Sequence, residues 1–225
     1  MTPRFAQHVD PIFMHVIELV ESIDSGKQPS PERERRLIND QLRSAEHELS
    51  STHGASWELA KYALVSWIDE LLLNANNWSG QNWWLGHLLE REHFPTGTVD
   101  RHEVFFVKAR DAADLPGGGD ALETFYTCAM LGFYGFYGNG RQPKDDEMIR
   151  LVAQKFRLPS DLTTWSSDMA GVIRQRHAQQ RSDPNLEAAE HTINTATPMW
   201  GRASLLWPWL LAVLMVGLII IMMSR

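Results

Sequence analysis

The feature that most constrains this chain lies at its C-terminal end. Ala203 to Met223 reads ASLLWPWLLAVLMVGLIIIMM, and no charged side chain falls between Arg202 and Arg225. As a helix rising ~1.5 Å per residue, this run is about 31 Å long, which matches a hydrocarbon core of ~30 Å. Backbone N–H and C=O groups find no water inside a bilayer, so such a run must bond to itself as a helix there. Trp200, Trp207 and Trp209 gather at its N-terminal end, where an interfacial aromatic belt belongs. Pro208 falls near the first turn, where a missing N–H costs little. A buried core helix rarely reaches this length without a charge, so the run predicts a single membrane helix over 203–223.

This anchor orders the rest. Only Ser224 and Arg225 follow it, and the opening MTPRFAQHVDPIF has neither a long apolar segment nor a small-residue cleavage site. The expectation is a tail anchor in the inner membrane of a bacterium-like cell, with the body in the cytoplasm and the C-terminus in the periplasm. The predicted divisions are a body over 1–176, a polar juxtamembrane linker over 177–202, the span over 203–223 and a two-residue tail.

A formal net charge of -7 argues against nucleic acid as a partner, because phosphate backbones call for a basic footprint. The single cysteine, Cys128, rules out an internal disulfide framework and a cysteine-rich zinc site. Nine tryptophans is a high count, and six of them lie outside the membrane end, which suggests a well-packed body or an aromatic contact surface.

The body reads as all-α. Asp10-Pro11 looks like a helix start, followed by Phe13, Val16, Ile17 and Val20 at helical spacing and ended by Ser25-Gly26. Ser30-Pro31 starts a second helix through Leu37, Leu42, Ala45 and Leu49. Ser50 to Gly54 is a break. A third helix runs from Ser56 to Asn74, and its stretch YALVSWIDELLLN is apolar on most sides, as a buried helix is. Trp83 to Glu92 reads as a fourth helix. Asp100 with Glu103, and Asp120 with Glu123, spell capping boxes for the fifth and sixth. Gly132, Gly135 and Gly138 weaken the chain after the sixth and let another backbone come close. A seventh helix, Asp145 to Phe156, carries Met148, Leu151, Val152 and Phe156 on one face. Residues 160–176 have room for one more short helix, and from His177 the chain turns polar.

Few residues suggest chemistry. His102-Glu103-Val104-Phe105-Phe106 opens like the zinc-protease HExxH but lacks the second histidine. His87, Glu90 and His93, at i, i+3 and i+6, would share a face if they stood on one helix, and three such ligands suit an open zinc site. That supports an alternative reading, a membrane-tethered metallohydrolase. The glycine runs lack the lysine of a phosphate-binding loop, and Cys128 lies mid-helix without an evident base. No cofactor is indicated. Asp69-Glu70 is the costly pair, since a buried carboxylate must be paired or hydrogen-bonded. The pair either fixes helix packing from inside, as a cap or salt bridge, or shapes or lines a partner-docking cleft. Trp78, Trp83 and Trp84 are candidates for the same docking surface.

The ordered set YALVSWIDELLLN, the Trp78/Trp83/Trp84 stretch, Leu88-Leu89 with His93-Phe94-x-Thr96, Glu103-x-Phe105-Phe106, and Leu122-Glu123-x-x-Tyr126-x-Cys128-x-x-Leu131-Gly132-Phe133-x-Gly135-x-Tyr137 resembles the DotU/TssL (IcmH) family of type VI secretion systems and their type IVB relatives. The resemblance covers about residues 10–160. It departs from the family pattern at Arg101-His102, where Gly-Gly is usual, and at Tyr134 and Phe136, where charges are frequent. It implies a non-enzymatic adaptor whose cytoplasmic body is two small helical bundles forming a hook. It also implies an inner-membrane anchor that joins a TssM/IcmF-like protein, contact with cytoplasmic baseplate subunits, and a homodimer.

Overall fold

The computed structural model describes residues 1–95, 101–138 and 146–181. Within them the regular structure is α-helical, with one short 3₁₀ turn and no strand. The expected membrane span over 203–223, with Trp200, Trp207 and Trp209, lies outside the described residues. None of the described helices is long and apolar enough to cross a membrane. Residues Met1–Arg176 form one structural unit, and each element below belongs to it except the last residues of the final helix.

Helix α1 runs Pro3–Asp24, eight residues earlier than Asp10-Pro11 suggests. Thr2 is extended and Pro3 takes the first-turn position, so the start signal is spent there. Pro11 sits inside the helix, on its solvent side together with Gln7, whose carbonyl loses its partner. The C-terminal signal at Ser25-Gly26 holds. Gly26 adopts φ +89°, its N–H reaches the Ile23 carbonyl at 2.8 Å, and the Lys27 N–H reaches that of Ser22 at 3.1 Å. These are the two bonds of a Schellman cap, which needs a left-handed residue at that place.

Helix α2, Pro31–Leu73, joins what the sequence suggests are two helices. Ser30 accepts the Arg33 N–H at its start. The expected break at 50–54 contracts to one non-helical residue, His53 (φ −131°, ψ 24°), just before Gly54. A small-residue run there bends the helix without ending it. The His53 ring then stands edge-on to Phe5 of α1 at 5.7 Å. Beyond the kink, every residue from Ala60 to Glu70 is buried. The other helices pack around this stretch: α1, the short α3 (Gln81–Gly86) and α4 (Leu89–His93), α5 (Arg101–Asp114) and α6 (Gly119–Met130) all meet α2. Where one fourth helix over 83–92 is expected, α3 and α4 are separated at His87, whose φ of −132° is not helical.

The second capping box does not form. Gly118 is the cap residue of α6, and the Asp120 carboxylate instead accepts the Thr2 N–H at 2.5 Å and the Thr2 hydroxyl at 2.9 Å. It tethers the start of α1 to the start of α6. Of the first box, Asp100 lies outside the described residues, and Glu103 accepts from Lys155 at 3.2 Å.

An aromatic cluster knits the later helices together. Phe105 stacks on Phe133 at 3.8 Å, and Phe106 meets Phe136, Tyr137 and Trp165 at 5.3, 4.8 and 5.0 Å. Helix α7 (Asp146–Phe156) adds Val152 and Ala153 to the core. Met148 and Leu151, expected on one face with Val152 and Phe156, are each 57% exposed. The apolar stripe of α7 is wider than the surface it packs against. Helix α8 (Leu162–Arg181) is longer than the sequence suggests and starts on Asp161, which accepts the Thr164 N–H at 2.7 Å. Arg176 on α8 donates to the Ala113 carbonyl near the end of α5.

Candidate partner-docking site

Asp69 and Glu70 are adjacent on α2, so their side chains leave the helix ~100° apart and serve two different neighbours. Asp69 has no exposed surface. Its carboxylate accepts from the Leu89 and Glu90 N–H groups at 3.1 and 3.0 Å and from the Trp84 indole Nε1–H at 2.9 Å. Those two amides are the first of α4, which no residue of α4's own start can cap, since Leu88 stands there. Asp69 is therefore a cap supplied from another helix. Its charge sits at the positive end of α4 and inside a ring of donors, which offsets its desolvation.

Glu70, 6% exposed, turns the other way. Its carboxylate accepts the Tyr134 N–H at 2.8 Å and the Gly135 N–H at 3.2 Å. These amides open the 3₁₀ turn Gly135–Tyr137, and Gly135 reaches them at φ +53°, a conformation that side chains resist. The tail of α2 thus holds two surface segments at once, α4 on one side and the 131–137 turn on the other. Trp67 adds a third tie to that turn, donating Nε1–H to the Leu131 carbonyl at 3.1 Å. Met130 and Tyr134 remain 48% and 37% exposed beside it.

The tryptophans of the candidate surface lie together, mostly inside. Trp84 is fully buried and Trp78 is 3% exposed, with ring centroids 6.0 Å apart. Trp78 donates Nε1–H to the Pro29 carbonyl at 3.0 Å and pins the 74–80 connection to the start of α2. Trp83 is half-buried and stacks on the exposed His87 ring at 4.0 Å, 10° from parallel. Leu85, 54% exposed, stands next to them. In this conformation Trp83, His87 and Leu85 are accessible residues of this stretch, and Asp69, Trp78 and Trp84 set where they stand.

A polar bracket that the sequence did not reveal clamps α4 to the first half of α2. Glu92 accepts from Arg35 at 2.7 Å, Asn39 at 3.1 Å and Arg43 at 3.3 Å. Arg35 also donates Nε–H to the His87 carbonyl at 2.7 Å. Burial alone would raise the Glu92 pKa, but the Arg35 hydrogen bond and charge outweigh it and hold the group below the ordinary carboxylate value. Arg35, Asn39 and Arg43 recur at i, i+4 and i+8 on one face of α2, which is the spacing that marks a shared partner. The partner lies more than 45 residues on, where no spacing rule reaches.

The helix break at His87 overturns the shared face proposed for His87, Glu90 and His93. His87 Nδ1–H donates to the Trp83 carbonyl at 2.8 Å, and His93 Nε2 faces Asn39 Oδ1 at 2.9 Å. Among the described residues no three His, Cys, Asp or Glu side chains are grouped to hold a metal. Cys128 is wholly buried, and burial pushes its thiol well above the ordinary range, away from the reactive thiolate.

A family model described as type VI secretion system protein DotU matches residues 5–225. The chain belongs to the DotU family. The match takes in nearly the whole sequence, including the apolar run at 203–223, and its description names type VI rather than type IVB secretion. No curated protein and no solved structure matches the chain. As a DotU-family member it is a type VI secretion component, and among the described residues nothing in the geometry favours the metallohydrolase alternative.

Proposed function

We propose that this DotU-family chain is a non-enzymatic adaptor of the type VI membrane complex. The apolar run over 203–223 serves as its inner-membrane anchor, and its body, which the family resemblance makes two small helical bundles, stands in the cytoplasm. In this reading the body joins a TssM/IcmF-like membrane protein to cytoplasmic baseplate subunits and pairs with a second copy of itself. The observation that carries the proposal is the family match over residues 5–225, which takes in both the helical body and the apolar run. A protein that contributes two rigidly held surface segments and a membrane anchor acts by holding partners together. Confinement to a plane raises the effective concentration of weak contacts, so assembly needs no strong single interface. The docking surface is placed at α3–α4 and the 131–137 turn, the two segments that Asp69 and Glu70 hold.

Deleting 203–225 from the chromosomal copy tests the anchor's part in this. The truncated body is expected in the soluble fraction, with recovery of the TssM/IcmF-like protein on it reduced about tenfold or more. A truncated body that still supports full assembly contradicts the confinement argument.

A further inference from the structure

We propose that α7 is the surface through which the bodies of two copies pair, as an antiparallel helix couple about a two-fold axis at Leu151. Met148 and Leu151 are each 57% exposed, more than any other large apolar side chain among the described residues. They stand one turn apart on α7, and Lys155 follows one turn later with its side chain 62% exposed. Positions i, i+3 and i+7 make the seam by which two helices pair. At ~100° per residue, this seam lies opposite Ala153 and beside Val152, the two residues that α7 buries. The helix thus carries more apolar surface than its own core covers.

The charges on α7 decide what covers the seam. Its first turn is acidic, with Asp146 and Glu147, and its later turns are basic, with Arg150 and Lys155; all of these are exposed. In an antiparallel pair about Leu151, Glu147 of each copy stands opposite Lys155 of the other, because both lie four positions from the axis. Symmetry then makes two opposite-charge pairs, one at each end of the seam. A parallel pair sets acid against acid and base against base. A surface of one sign, such as an anionic bilayer, repels one end of α7 whichever sign it carries. Lys155 bridges to Glu103 of α5 at 3.2 Å and lies over the Phe156 ring at 4.5 Å, but an ammonium has three donors and the Glu103 bond uses one. Arg150 turns back along the helix and donates Nε–H to the Asp146 carbonyl at 3.3 Å, so Lys155 is the cation that meets the second copy.

The seam is short. Two apolar side chains and a lysine stem per copy cover far less than the ~800 Å² a side of a standard interface, so free bodies do not stay paired through it. Copies held in one membrane do not need a large interface, because confinement raises their effective concentration. That dependence rests on the anchor reading above, while the face itself rests on geometry. The formal net charge of -7 opposes unspecific contact between bodies, and a self-complementary seam lets two copies approach without that repulsion.

Thiol cross-linking of the full-length protein in the membranes of its own host tests this. Cys128 is buried, so an introduced cysteine is the reactive group. With a short bismaleimide, Leu151→Cys is expected to form a covalent dimer about fivefold faster or more than Met14→Cys, whose position on α1 is 55% exposed. Glu147→Cys and Lys155→Cys should each link poorly alone and link well when the two variants are co-expressed, because the antiparallel pair sets 147 against 155. Met148→Asp added to Leu151→Cys should slow the linkage about fivefold, since a carboxylate then enters the seam unpaired. These α7 positions are all exposed, so the substitutions leave the core intact. Leu151→Cys that links no faster than Met14→Cys overturns the proposal. So does linkage of Leu151→Cys to a different protein, or Glu147→Cys that links alone as well as the mixed pair does. Failure of the adaptor reading would show instead as partners absent from a pull-down, with the α7 dimer intact.

Discussion

Asp69→Ala is expected to lower stability by about 4 kcal/mol. It strips the acceptor from three donors at once, the Leu89 and Glu90 amides and the Trp84 indole, all at a site closed to water. Each buried donor left unpaired costs about 1–3 kcal/mol, and the three share one site, so their costs do not add in full. The loss approaches the whole stability of many domains. It should appear as a lower urea midpoint with an unchanged slope, and as loss of exchange protection centred on α3–α4. Asp69→Asn keeps one acceptor oxygen but turns an NH₂ toward other donors, and about half the loss is expected. The partner set decides the functional part. An Asp69→Asn protein that keeps its fold should lose recovery of baseplate subunits before it loses the membrane partner. If it keeps fold and all partners, Asp69 is only a structural cap.

Phe106→Ala should cost a similar amount, about 3–5 kcal/mol, for a different reason. Phe106 is fully buried and touches Phe105, Phe133, Phe136, Tyr137 and Trp165. Those rings come from α5, from the turn held by Glu70 and from α8, so one cavity opens where three segments meet. Aromatic edge contacts worth about 0.5–1.5 kcal/mol each beyond area burial are lost with it. Exchange should rise in 133–137 and at Trp165, with α1 much less affected. Phe106→Leu, which refills most of the volume, should recover more than half of the loss. An alanine variant destabilised by under 1 kcal/mol would mean that this cluster does not bind α8 to the rest.

What the sequence revealed divides by range. Local signals worked where one residue type answers one backbone need. Ser25-Gly26 ends α1 because the Schellman cap requires a left-handed residue, and Ser30-Pro31 starts α2 because the hydroxyl and the fixed φ both suit a first turn. The same logic misplaced the start of α1, since Thr2-Pro3 offers it eight residues before Asp10-Pro11, and one mid-helix proline on the wet face is tolerable. Asp69 and Glu70 stood out because a charged pair in an apolar helix has to be satisfied by something. Their partners, 20 and 64 residues further on, were beyond any periodicity. The break at His87 was hidden for a related reason. A lone Gly86 is only a weak stop, and the new start is set from afar by Asp69, which caps the helix at Leu89. Helix α7 shows the opposite failure, because a helical apolar stripe says which side is apolar and not how much of it the core has room to cover.

The most direct test of the adaptor account is a mild-detergent pull-down of the full-length tagged protein from its own host, with partners identified by mass spectrometry. The account predicts a large TssM/IcmF-like membrane protein together with type VI baseplate subunits, recovered in fixed proportion to the bait. A bait that arrives alone, under conditions where that membrane complex survives intact, would contradict it.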